Sequence, residues 1–158
     1  MGGVRDASQV SRFVERFAAA LTDAGMPRMP ARVFVALLTT DSGRLTAAEL
    51  AAQLQGSAGA ISGAVRYLIQ THLVDREHEP GSRKDHYRVR DDVWHAATGS
   101  RDDTMRRLSA PLPDGIAALG ADSPAGARLT ETMAFFDFLQ KEMPALMQRW
   151  EQTRLRRG

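Results

Sequence analysis

LTAAELAAQLQGSAGAISGAVRYLIQTHLVDREHEPGSRKDHYRVR, residues 45–90, passes from a helical to a strand period along its length, and that passage decides the fold. In its first five residues Thr46 and Glu49 have the spacing of a capping box, in which the hydroxyl accepts from the Glu49 amide and the carboxylate returns to the Thr46 amide. A helix therefore begins at Ala47 and ends near Gln55-Gly56. Ser57 can cap the next helix, whose inward face is Ala60, Ile61, Ala64, Val65, Leu68 and Ile69, spaced by three and four. After Leu73-Val74 the pattern alternates instead. Asp75 to Glu79 leads to a turn at Pro80-Gly81-Ser82, and Tyr87 and Val89 then alternate with His86, Arg88 and Arg90, as in a β-hairpin.

Two helices precede this stretch. Val10, Phe13, Val14, Phe17, Leu21 and Ala24 form a narrow stripe that Gly25 and Pro27 end, and Pro30 fits the first turn of a short, mostly buried helix through Val33, Phe34, Leu37 and Leu38. The Asp41-Ser42-Gly43 turn closes it. Beyond Asp91 the chain is helical again through Val93, Trp94, Met105 and Leu108, interrupted by Pro111, Pro113 and Gly115. A last long helix starts at Ser123-Pro124 and runs past Pro144, which should end or kink it, into an Arg-rich tail. There is no internal repeat and no low-complexity linker.

Composition narrows the possible functions. With 158 residues, 25% charged and 43% hydrophobic, the chain has the profile of one soluble globular domain with an adequate core. The absence of cysteine excludes disulfide scaffolds, thiolate metal centres and cysteine nucleophiles. Apolar runs such as Val33 to Leu38 are far shorter than a membrane span, and no signal segment opens the chain, so a cytoplasmic protein without membrane contact is expected. Net charge is only +2, but the basic residues are 19 Arg against 2 Lys. That bias, with abundant Ala, suits a GC-rich genome first and anion recognition second; where the charge sits carries more than its total.

Three helices, a turn, a further helix and a hairpin follow the order of a winged helix-turn-helix, in which the second helix of the turn motif enters the DNA major groove. The outward residues of that helix, Ser57, Ala58, Gly59, Ser62, Gly63, Arg66 and Tyr67, are mostly small. Small side chains let a helix sit deep in a groove about 12 Å wide, while the N-terminal amides suit phosphate. Ser57, Ser62 and Arg66 are the candidate DNA contacts; the competing reading is that Gly59 and Gly63 only permit close packing on another helix. The hairpin tip and return strand, Ser82 to Arg90, place Arg83 and Lys84 at the turn and Arg88 beyond it. A charge run can be a mere solvated face, yet this one lies where a wing would grip phosphate.

The segments LTAAELAAQL, SAGAISGAVRYL and GSRKDHYRVRDDVW resemble the MarR superfamily of bacterial transcription regulators, most closely its GbsR-type branch. The resemblance implies a homodimer joined by terminal helices, a fourth helix that reads double-stranded DNA, and a wing on the backbone. By motif position it implies Ser57, Ser62 and Arg66 in the helix and Ser82, Arg83 and Lys84 in the wing. It also implies a small-molecule effector, whose pocket Trp94, Met133, Phe135, Phe138 and Trp150 could line, although aromatic and Met residues at helical spacing also read as plain core. The scarcity of polar residues on the reading helix shifts weight toward shape readout.

The expected fold is thus mainly α with a small β-hairpin: residues 1–29 an N-terminal helix of the dimerisation region, 30–91 the winged helix-turn-helix, and 92–158 a C-terminal helical dimerisation region. Leu129, Met133, Phe135, Phe136, Phe138, Leu139, Met143, Leu146, Met147 and Trp150 span well over half the circumference of the last helix, so it needs cover on two sides, one from its own domain and one from a partner chain, or both from a larger intramolecular bundle. No catalytic, cofactor or metal site is expected. No phosphate-binding loop is present, Asp85-His86 shares an exposed turn with Ser82, and His72, His78 and His86 lack the spacing of metal ligands. The function expected is a sequence-specific DNA-binding transcription regulator, acting as a repressor. The alternative is a protein-interaction module whose basic wing meets an acidic partner.

Overall fold

The computed structural model describes residues 6–158, apart from the side chains of residues 98–100. The elements are α1 (Ala7–Asp23), α2 (Arg28–Leu38), β1 (Arg44–Thr46), α3 (Ala47–Leu54), α4 (Ala58–Gln70), β2 (Val74–His78), β3 (Asp85–Val89), α5 (Val93–Ser109), α6 (Leu112–Leu119) and α7 (Pro124–Arg157). Two compact units divide between Val93 and Trp94.

In the first unit the Asp6 carboxylate caps α1 by accepting from the Ser8 and Gln9 amides. The Ser8 hydroxyl above all, and then these amides, hold that carboxyl below its ordinary value. Val14 and Ala18 are buried where α1 packs along α2. Helix α2 is enclosed almost all round: Val33, Phe34, Val35, Ala36 and Leu37 have no exposed surface. Leu50 of α3 and Ile61 and Leu68 of α4 complete the same core. Both bonds of the Thr46–Glu49 capping box form, each at 3.2 Å. Gln55 then turns the chain in the left-handed region, and the Ser57 hydroxyl accepts from the Ala60 amide at 3.1 Å to start α4.

The hairpin acquires a third strand that the sequence pattern does not suggest. The sheet order is β1-β3-β2, antiparallel throughout, with Leu45 opposite Tyr87 on one side and Arg76 opposite it on the other. Three residues are too few to display a period; β1 exists because β3 offers it a ladder. The turn between β2 and β3 closes with the Ser82 amide donating to the Glu79 carbonyl at 3.1 Å, Gly81 taking the positive φ that succeeds Pro80.

In the second unit Ser123 caps α7, accepting from the Gly126 amide at 2.9 Å and donating to the Gly120 carbonyl at 2.8 Å. Helix α6 packs on α7, where Gly115 faces Leu129. Pro144 does not end α7, whose 34 residues run on to Arg157. The proline removes one donor, the amide that would have reached the Gln140 carbonyl, and intact turns on both sides carry the helix through. Among the described side chains of this unit none is buried; only the backbone position Gly126 is.

Candidate nucleic-acid interface

Helix α4 has a buried and an exposed face, with Ala60, Tyr67 and Ile69 half-buried between them. Ile61, Ala64, Val65 and Leu68 are buried, while Ser57, Ala58, Gly59, Ser62, Gly63 and Arg66 are exposed. Ser62 and Arg66, four residues apart, share one outward face. Nothing lies within 4 Å of where a Cβ would stand on Gly59 or Gly63, so within the described chain neither glycine accommodates a neighbouring helix. The packing explanation for that pair therefore has no partner among the described residues. The Ser57 oxygen is used by its own helix cap, which leaves its proton free to donate outward.

The hairpin brings Ser82, Arg83 and Lys84 together at one tip. The Ser82 hydroxyl accepts from the Lys84 amide at 3.1 Å and shapes the turn, and Arg83 and Lys84 are exposed. Among the described residues, Arg66, Arg83 and Lys84 have no acidic partner. Arg88 is differently placed. Its Nε donates to the Glu77 carboxylate, its Nη1 lies 3.4 Å from the Ser42 carbonyl, and Arg44 approaches the same carboxylate at 3.4 Å. The hydrogen bond from Arg88 above all holds the Glu77 carboxyl below its usual value. Arg88 thus braces the sheet and stands apart from the tip cations.

Residues passed over in the sequence also shape the wing. Arg76 sits over the Tyr87 ring at 5.8 Å and 3.8 Å from Asp85, and Arg90 pairs with Asp92 and Asp75. The alternating charges of Asp75 to Glu79 were the only signal for these cross-strand pairs, and the register decides which of them form. Asp85 bonds His78 across the hairpin at 3.0 Å, not its neighbour His86, and His86 instead faces Glu79 at 4.0 Å. No group of three His, Cys, Asp or Glu side chains is placed to hold a metal among the described residues. No helix among them is long and apolar enough to cross a membrane. Trp94, Phe135, Phe138 and Trp150 are exposed rather than core, contrary to the plain-core reading.

Comparison with known proteins identifies the family and the fold. Residues 24–85 match the MarR family, and residues 92–153 match the MmpR5-like MarR family transcriptional regulators. The chain is 30% identical over 124 residues to the HTH-type transcriptional regulator MmpR5 of Mycobacterium tuberculosis, covering 78% of this chain and 75% of that one. A crystal structure of a transcriptional regulator superposes with a TM-score of 0.81 at 28% identity, over 91% of this chain and 99% of the other. TrmBL2, an archaeal chromatin protein, shares the fold at a TM-score of 0.52 and 21% identity, over 77% of this chain and 41% of its own.

Proposed function

Because the chain belongs to the MarR family of winged-helix transcriptional regulators, which bind DNA, we propose that it is a homodimeric, sequence-specific repressor whose α4 enters the major groove while the wing grips the backbone. The observation that carries this reading is the pairing of an open, small-residue face on α4, bearing the unpartnered Arg66, with a wing tip bearing the unpartnered Arg83 and Lys84. Cations without acidic partners keep their full charge for phosphate, and glycines without neighbours let a backbone approach base edges. Ser57, Ser62 and Arg66 are assigned to the groove and Ser82, Arg83 and Lys84 to the backbone. Arg88, 37% exposed and shared with Glu77, is assigned a phosphate at the edge of the wing.

The proposed division of labour follows the boundaries read from the sequence, although α1 packs on α2 within the first unit. Residues 30–91 bind DNA, while 1–29 and 92–158 join two copies, with a small-molecule effector tuning the dimer in the cytoplasm. Apolar surface left uncovered within each unit supports the association: Phe13, stacked on Phe17 at 5.8 Å, is 52% exposed on α1, and Phe135 and Phe138 are exposed on α7. The GbsR-like affinity rests on the motifs of residues 45–90 alone, while the match over 92–153 favours the MmpR5-like group.

Binding of random duplex DNA across a salt series tests the proposal. Phosphate contacts give a steep linear fall of log K with log salt, and Arg83→Ala with Lys84→Ala should lower that slope by about 0.9 for each phosphate that a subunit no longer neutralises. A module that binds an acidic protein would hold duplex DNA hardly at all. An unchanged slope in the double variant would remove the wing from the interface.

A further inference from the structure

Arg32 is the least exposed ion-paired arginine among the described residues, with 18% of its side chain accessible, and it lies on α2. Its Nε stands 3.0 and 3.2 Å from the two Glu15 oxygens of α1, and its Nη2 is 2.8 Å from one of them. The same Nη2 donates its other proton to the Leu54 carbonyl at 3.0 Å. Leu54 ends α3, so that carbonyl has no donor within its own helix.

Immediately after Leu54 comes the turn of the helix-turn-helix. Gln55 adopts φ 53°, the Gly56 amide returns to the Ala51 carbonyl at 3.1 Å, and Ser57 then caps α4. Gly56 lies under two side chains: a Cβ there would stand 3.4 Å from Ile61 Cδ1 and 3.6 Å from Met29 Cε. Helix α2 therefore holds both ends of the turn, with Arg32 on the carbonyl at its entry and Met29 over the glycine at its exit. Through Glu15 the same guanidinium ties α1 into the arrangement.

We propose that Arg32 is a positioning residue for DNA reading: by joining Glu15 to the Leu54 carbonyl it fixes the α3–α4 turn, and with it the angle at which α4 presents Ser62 and Arg66. The proposal rests on α4 being the helix that faces DNA. A lysine cannot replace the fork, because one ammonium on a flexible stem does not reproduce the planar set of donors that serves two acceptors at once. Since Arg32 acts through the turn and touches no phosphate, its loss weakens the operator complex without changing the number of counterions released.

The test uses the full chain, an operator duplex selected by the protein from random-sequence DNA, and a scrambled duplex of the same length. Arg32→Lys and Glu15→Gln are compared with the parent well below each variant's melting temperature. Arg32→Lys should weaken operator binding about tenfold, the scale of one charge-assisted hydrogen bond, with scrambled-DNA affinity and salt slope unchanged. Glu15→Gln, which keeps the bond to Leu54, should do the same to a smaller degree, and it carries the test if the lysine variant does not fold. Amide exchange at Gly56, Ser57 and Ala58 should accelerate in both. A variant that melts earlier yet binds operator as the parent does would reduce Arg32 to a structural brace and overturn the proposal. So would a lowered salt slope with equal loss on both duplexes, which would make Arg32 a phosphate contact. If Ser62→Ala with Arg66→Ala leaves operator preference intact, the reading of α4 itself fails; if that pair behaves as expected and the Arg32 and Glu15 variants do not, only the positioning role fails.

Discussion

The two units of this chain satisfy their hydrophobic residues in opposite ways. In residues up to Val93 a short helix, α2, is enclosed by α1, α3, α4 and the sheet, and Phe34, Leu37, Leu50, Ile61 and Leu68 reach zero exposure. From Trp94 onward the chain is helical and no described side chain is buried, although Phe135, Phe138, Leu146, Trp150 and Leu155 are all large and apolar. Burial is what stabilises a domain, at about 25 cal/mol for each Å² of apolar surface removed from water. The first unit therefore carries its own stability, whereas the second has apolar surface that only a further surface can cover. Under the proposed function, the closed core carries the DNA-reading module and the open one the assembly module, a contrast that composition averaged over the chain conceals.

The largest expected effect tests the open half. Phe135→Asp with Phe138→Asp should convert a particle of twice the 17.3 kDa chain mass into a monomer by light scattering. A parent that is already monomeric at micromolar concentration would break the contrast between the halves. The closed half is sharpened by Phe34→Ala, which should cost about 3–5 kcal/mol in denaturant unfolding of the first unit at any protein concentration. Phe138→Ala should instead lower a melting temperature that itself depends on protein concentration, because its partner surface is bound by mass action. Equal behaviour of the two variants would erase the distinction.

The smallest effect lies in the sheet. Glu77 has its carboxyl held below the ordinary value of 4.5 by Arg88, so its contribution is present in full above that value and is lost as pH falls through the depressed folded-state one. The protection of the β2 and β3 amides, taken against their intrinsic exchange at each pH, should fall in that acid window in the parent, and Glu77→Gln should show the lower protection at all pH values. An acid limb that survives the substitution would assign it to another carboxylate.

Local chemistry made much of this fold readable. The Thr46–Glu49 box, the Ser57 cap, the start of α7 at Ser123-Pro124, the Pro80-Gly81 turn and the periodic faces of α2 and α4 each depend on residues a few positions apart, and each forms where spacing places it; the stripe of α1 holds at Val14 but leaves Phe13 exposed. The outward set on α4 and the cations at the wing tip were legible for the same reason. Arg88 was less so: its place in the alternation marks a basic strand, but its engagement with Glu77 is a matter of strand register, which brings the two side chains together across the sheet.

By itself, then, the sequence determined the order of the first four helices, the hairpin, the last long helix, the turn residues and the basic tip, because those are matters of propensity, capping and period over one or two turns of chain, whereas it did not give α6, which runs through Pro113 and Gly115. Only the tertiary structure decided that Arg44–Thr46 is a strand, that Pro144 leaves α7 unbroken, that Gly59 and Gly63 face open space, and that Arg32 joins Glu15 to the Leu54 carbonyl across 17 and 22 residues of sequence. Each of these depends on what lies opposite a residue in space, and a linear pattern records only what lies beside it in the chain.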